Sequence, residues 1–98
     1  MKVIWTPRAL ARMRQIHAHI AKEHRPNANQ MIDRLTKRVA QLRDHPLSGR
    51  VVEFYQRDDL RELIESRYRI VYLVLPDRVD IITVRDTRRR LPRRLSSM

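Results

Sequence analysis

The chain has 98 residues, a length that fits one domain with one modest hydrophobic core. It contains no cysteine, which excludes disulfides and thiolate metal sites, and no apolar stretch approaches the ~20 residues that a membrane-spanning helix needs. Lys and Arg number 22 against 11 Asp and Glu, which gives a net charge of +11. The N-terminal string MKVIWTPRAL has no apolar signal core, so the expected location is cytoplasmic.

The positive charge is carried mainly by arginine and is unevenly distributed. Only three of the 22 cations are lysines. The net charge is +8 over residues 1–50, −2 over residues 51–84 and +5 over residues 85–98. Because guanidinium groups bind phosphates and carboxylates in a bidentate manner, the expected partner is acidic, either nucleic acid or an acidic protein segment.

The first half of the chain predicts a strand followed by two helices. Residues 2–5 read as a short strand, after which Thr6 offers a helix N-cap and Pro7 suits the first helical position. Apolar residues at helical spacing predict a first helix that ends near His24 and a second that starts at Pro26 and stops at the DHP string. Since few residues separate them, the two helices should pack as an antiparallel hairpin.

The second half predicts strands. The candidates are residues 51–54, 60–65, 67–75 and 79–85. Residues 67–75 are largely apolar on both faces, so this strand should lie centrally and pair antiparallel with the last one. Gly49, the only glycine, is expected where the backbone requires it. The basic tail, residues 86–98, has few candidate core residues and is expected to be mobile in isolation.

This order predicts an α+β fold in a single domain, residues 1–98. An N-terminal strand precedes the antiparallel helical hairpin, and a C-terminal antiparallel strand meander completes one sheet with the helices on one face. Four strings in this order resemble the RelE/ParE toxin superfamily, and they are closer to ParE than to RelE. They are IWTPRAL, LRDHPLSGR, LRELIESRYRIVYLV and VDIITVRDTRRRLP.

The resemblance implies the toxin of a type II toxin–antitoxin system, neutralised in a hetero-oligomer by a cognate antitoxin. That antitoxin should be acidic, to match the basic toxin. For ParE-type toxins the resemblance implies inhibition of DNA gyrase and of replication by binding. For RelE-type toxins it implies ribosome-dependent cleavage of mRNA. The fold alone does not separate the two, because function lies in the site.

A nuclease would need a general base, a general acid and cations at the scissile phosphate. The candidate residues are Arg61, Glu62 and Arg69, of which Arg69 matches the family arginine in the YRIVY string. Arg61 is a poor general base because it stays charged, and a strand glutamate such as Glu62 is more often a partner for arginine. Arg69 either binds a phosphate or is a structural arginine paired with Glu62 or Glu65.

The C-terminal acid of RelE-type toxins has no counterpart in the chain. From Arg85 onward there is no His or Tyr, and Asp86 stands where ParE-like sequences often have a histidine. Since a carboxylate is a poor acid at neutral pH, the favoured interpretation is a toxin that acts by binding, without catalytic residues. The predicted target-binding residues are Arg85, Arg88, Arg89, Arg90, Arg93 and Arg94, together with the basic helical hairpin.

Two alternatives stay open, a RelE-like endoribonuclease that uses Arg61, Glu62 and Arg69, and a generic basic nucleic-acid binder. No metal or cofactor is expected. His17 and His19 lie on different sides of a helix at 100° per residue, so they cannot share one metal ion.

Overall fold

The computed structural model describes residues 1–98 as one five-stranded sheet with two helices. The strands are β1 (Lys2–Trp5), β2 (Arg50–Val51), β3 (Leu60–Glu65), β4 (Tyr68–Val74) and β5 (Arg78–Asp86), and the helices are α1 (Pro7–Ala21) and α2 (Arg25–Ala40). The strand order is β1-β5-β4-β3-β2, so β4 is central as predicted. The α+β class and the helical hairpin are also confirmed. Neither helix combines the length and apolar character needed to cross a membrane.

The N-terminal strand joins the sheet in a way that the strand patterns did not predict. β1 pairs parallel to β5, from Lys2 opposite Arg78 to Trp5 opposite Ile81, whereas the other strand pairs are antiparallel. Thr6 then connects β5 to α1. Its hydroxyl donates to the carbonyl of Ile81 at 2.6 Å and accepts from the amide of Ala9 at 3.1 Å, which caps the helix. The N-cap predicted at Thr6 is therefore confirmed, and it fixes where α1 leaves the sheet.

The main core lies between the helices and one face of the sheet. β4 contributes Tyr68, Ile70 and Tyr72, which are buried against apolar residues of the hairpin such as Leu35 and Val39. The Tyr72 hydroxyl accepts a hydrogen bond of 2.8 Å from the amide of Gly49. Burial raises the pKa of Tyr72 because the charged phenolate would lose its hydration.

Gly49 is required because the chain passes close to Tyr72. A Cβ at this position would lie 2.5 Å from the Tyr72 hydroxyl oxygen and 2.6 Å from the backbone oxygen of Glu62. We therefore expect Gly49→Ala to lower the free energy of unfolding by about 1–2 kcal/mol, as overpacking typically does. Urea-induced unfolding measures the change. At an unhindered site the same substitution stabilises a protein by restricting the unfolded chain, so a gain in stability would contradict the close approach.

The C-terminal segment, residues 87–98, packs on the sheet face opposite the helices. Met98 is fully buried there in a second cluster with Val52, Leu60 and Val71. Leu91 and Leu95 pack against the same cluster, and the Tyr55 hydroxyl donates to the carbonyl of Pro92. The packing of Met98 was not predicted from the sequence, and the expected mobility of the tail in isolation stays a prediction. The few apolar residues of the segment cover an apolar strip of the sheet that would otherwise face water.

Three predicted boundaries also differ from the structure. A strand was predicted over residues 51–54, but the strand paired with β3 is Arg50–Val51. Glu53–Tyr55 forms a 3₁₀ turn instead. α1 ends at Ala21, and His24 instead caps α2 by accepting from the amide of Asn27 at 3.1 Å. β5 extends through Asp86, so the tail begins at residue 87.

Candidate functional site

The three candidate nuclease residues are divided between the two faces of the sheet. Adjacent residues of a strand point to opposite faces. Arg61 lies opposite Tyr72 on the helix-facing side, whereas Glu62 lies opposite Val71 on the tail-facing side. The Arg61 guanidinium donates to the carbonyl of Gly49 at 2.9 Å, so it holds the turn before β2.

Glu62 and Arg69 form an ion pair under the C-terminal segment. The Arg69 Nη1 lies 3.4 Å from one carboxylate oxygen of Glu62, and Arg50 lies 2.8 Å from the other. The Glu62 side chain is only 5% exposed. Arg69 also donates to the carbonyl of Thr87 at 3.3 Å. Both side chains are thus engaged within the fold, which is the structural role that the sequence left open for Arg69.

A β-bulge determines which way Arg85 points. In the pairing of β4 with β5, Tyr72 lies opposite Ile81 and Val71 lies opposite Thr83, so Ile82 is the extra residue. Beyond the bulge the alternation of β5 is reversed. Arg85 therefore lies directly opposite Arg69 on the tail-facing side, although simple alternation would have put it on the helix-facing side with Ile81.

Arg85 is a partly buried cation without a carboxylate partner. The ion pairs of the structure do not include it, and its Nε is buried with no hydrogen-bond acceptor. Burial lowers the pKa of Arg85, and the nearby guanidinium groups of Arg12, Arg89 and Arg69 lower it further. Like charges opposite each other on a sheet destabilise the pair. This region is therefore a concentration of uncompensated positive charge.

A cleft of about 610 Å³ lies between α1 and the end of β5, and we call it the α1–β5 cleft. Its charged lining residues are Arg12, Arg67, Arg85, Asp86, Arg88 and Arg89. Asp86, the only acid among them, accepts from Arg67 at 2.9 Å and from the Arg88 amide at 2.9 Å. Asp86 therefore anchors two of the arginines, while the other three have no carboxylate partner.

Only three of the six predicted target-binding arginines line the α1–β5 cleft. Arg85, Arg88 and Arg89 line the α1–β5 cleft. The other three tail arginines, Arg90, Arg93 and Arg94, are exposed outside it. Sequence reasoning missed Arg12 and Arg67 as parts of the same cleft, since nothing in their local patterns links them to the tail. No group of three or more His, Asp or Glu residues lies together in a way that could hold a metal ion.

Comparison with known families identifies the chain. The model of the ParE toxin of type II toxin–antitoxin systems, parDE, matches residues 3–91. This protein belongs to the ParE toxin family. The match includes both helices, β1 from Val3 onward, the other four strands and the α1–β5 cleft, and it ends at Leu91. Among the tail arginines, Arg93 and Arg94 therefore lie beyond the part that matches the family.

A solved structure supports the same ParE-like fold. A chain of the chromosomal ParDE toxin–antitoxin system from P. aeruginosa superposes with a TM-score of 0.75 at 19% sequence identity. The alignment covers 88% of this chain and 95% of that chain. No curated protein sequence matches. The resemblance that four short strings suggested is confirmed by the family match, and the structural likeness at this identity concerns the fold.

Proposed function

We propose that this protein is a ParE-type toxin that inhibits DNA gyrase, and thereby replication, by binding to it. Its family supports the role of a toxin. The observation that supports a binding mechanism is the placement of Arg61, Glu62 and Arg69 and their contacts within the fold. These residues are divided between two sheet faces and are held by contacts within the fold, an arrangement that supports binding over nuclease chemistry.

The proposed contact surface consists of the helical hairpin and the tail arginines. Residues 7–40 contain eight Lys and Arg against two Asp and Glu. The exposed tail arginines Arg90, Arg93 and Arg94 take part in none of the ion pairs of the structure. Cations that are not neutralised within the fold can steer the toxin towards an acidic partner surface and fix its orientation there.

The antitoxin partner that the family implies is proposed to be an acidic amphipathic segment that lies along the helices and the sheet edge. Leu10 on α1 is 44% exposed and offers an apolar contact among cations. β1 pairs only with residues 78–81 of β5, so residues 83–86 have no strand neighbour on that side and can accept an added strand. Binding of this segment would form a cytoplasmic toxin–antitoxin hetero-oligomer.

Purified toxin, DNA gyrase, relaxed plasmid and ATP provide the direct test. We expect supercoiling to fall as toxin is added and cleaved, gyrase-linked DNA to accumulate. In cells, DNA synthesis should stop before protein synthesis after induction. The proposal is wrong if excess toxin leaves gyrase unaffected, and mRNA cuts in a translating extract would favour the RelE-like alternative.

The role of the tail can be tested with the double substitution Arg93→Gln/Arg94→Gln. We expect gyrase inhibition to weaken by about tenfold, because two cations of the contact surface are lost. Stability should change by no more than about 0.5 kcal/mol, since both side chains are exposed. Lys2→Gln/Arg43→Gln is the matched control, as it also removes two exposed cations but lies outside the hairpin and the tail. An equal loss in both variants would argue against a specific role for the tail.

A further inference from the structure

Three arginines of the α1–β5 cleft come from three different elements and lack any carboxylate partner. Arg12 comes from α1, Arg85 from β5 and Arg89 from the C-terminal segment. Arg12 donates only to the side chain of Gln15, at 3.2 Å, and the Arg85 Nε has no acceptor. Arg12 and Arg85 are partly buried and Arg89 is exposed, and holding such cations close together is unfavourable unless an anion compensates them. An anionic group with several acceptor oxygens would supply this compensation.

We propose that the α1–β5 cleft is a binding site for a phosphate group, carried either by a nucleic-acid backbone or by a free nucleotide. Guanidinium groups donate in fixed pairs that match the oxygens of a phosphate. A tetrahedral phosphate offers acceptor oxygens in several directions, which suits donors that converge from three elements. With five arginines and one aspartate, the charged lining has a net charge of +4 and remains cationic after one phosphate has bound.

The rest of the lining favours a phosphate over an apolar or aromatic ligand. Only Ile16, Tyr68 and Val84 are hydrophobic among the 11 lining residues, and Tyr68 is 4% exposed. Tyr68 therefore offers no open ring on which a base could stack. An amphipathic peptide helix would need several apolar anchors along one face, and the cleft does not supply them. The site should therefore bind the phosphate without distinguishing one base from another, as contacts to a nucleic-acid backbone do.

Asp86 gives the cleft its shape before a ligand binds. It holds Arg67 through two hydrogen bonds of 2.9 and 3.1 Å and accepts from both the amide and the side chain of Arg88. These contacts hold Arg67 and Arg88, whereas Arg12, Arg85 and Arg89 have no carboxylate partner. The cleft volume of about 610 Å³ is within the ~300–1,000 Å³ typical of small-ligand sites. This inference concerns the toxin alone and goes beyond the proposed action on gyrase.

The experiment uses the purified full chain without gyrase and measures binding of pyrophosphate, of a mononucleotide and of a short fluorescent single-stranded oligonucleotide. We expect pyrophosphate to raise the melting temperature and to compete with the oligonucleotide. If the oligonucleotide binds more tightly, with log affinity falling as log salt rises, the phosphate belongs to a nucleic-acid backbone. If the mononucleotide binds more tightly, the source is a free nucleotide. Absence of binding by all three probes, or tighter binding of an acidic peptide, would overturn the proposal.

Single substitutions separate this cleft from general positive charge. We expect Arg85→Gln and Arg12→Gln each to weaken pyrophosphate binding by about tenfold, because each removes a charge-assisted donor. Arg14→Gln is the matched control, since Arg14 is exposed on the same helix and does not line the cleft. It should change binding by less than about twofold. Arg85→Gln removes a desolvated charge, so its melting temperature should not fall. Equal losses in all three variants would overturn the assignment to the cleft.

Discussion

Replacing Glu62 with glutamine is expected to lower the free energy of unfolding by about 2–3 kcal/mol. The substitution removes the only carboxylate that contacts Arg69, whose side chain is 20% exposed and lies opposite another cation, Arg85. Removing one member of a fully buried ion pair costs ~3–5 kcal/mol, and the partial exposure of Arg69 reduces that figure. Chemical unfolding at neutral pH measures the change.

Glu53→Gln is the matched control, because Glu53 is exposed and takes part in no ion pair. It removes the same charge and should alter stability by no more than about 0.5 kcal/mol. The double variant Glu62→Met/Arg69→Met should recover much of the loss, since apolar replacement of both partners leaves no unpaired buried charge. If Glu62→Gln were as mild as Glu53→Gln, the ion pair would not be a stabilising feature, and the catalytic alternative for Glu62 would gain support.

Truncating Met98 to alanine should also cost about 2–3 kcal/mol. Met98 is fully buried against Val52, Leu60 and Val71, and Met→Ala changes in cores cost ~2–5 kcal/mol. We place the value in the lower part of that range, because a terminal segment can detach locally and so limit the loss. Unfolding in urea measures the stability, and the rate of tryptic cleavage after Arg93 and Arg94 measures detachment of the segment.

The neighbouring residue supplies the control for this measurement. Ser97 is exposed, so Ser97→Ala should leave both the stability and the cleavage rate close to those of the unmodified protein. A Met98→Ala variant with unchanged stability and unchanged cleavage would mean that the C-terminal segment is free of the sheet in solution. That result would confirm the mobile tail that the sequence predicted.

The local elements of this protein could be predicted from its sequence because their signals are local. Helical spacing of apolar residues, Pro7 and Pro26 at helix starts, and the largely apolar run of β4, interrupted only by Arg69, are each local features of one short stretch. β3 was predicted with the bounds that it has in the structure. Gly49 was also singled out correctly, although its reason, the close approach of Tyr72, lies in a distant strand.

The candidate site could be predicted only in part, because it depends on contacts between distant residues. The strings indicated Glu62, Arg69 and Arg85 as residues to consider, and they allowed a pair between Glu62 and Arg69. They did not indicate that Arg12 would face Arg85, because a pattern of exposed cations on a helix does not say which strand lies beside it. The burial of Met98 was missed for the same reason, since a basic tail with few apolar residues resembles an unattached one.

The sequence by itself determined the order and type of the elements, the basic character of the surface and the resemblance to the ParE family. Only the tertiary structure decided that β1 joins β5 in parallel, that the tail covers the second sheet face and that Arg85 faces Arg69. The physical reason is clearest at the bulge at Ile82. One extra residue reverses the alternation of the strand, so a side chain that the period-two pattern assigns to one face lies on the other. The position of such a bulge depends on packing between strands, so it cannot be predicted from the sequence of one strand alone.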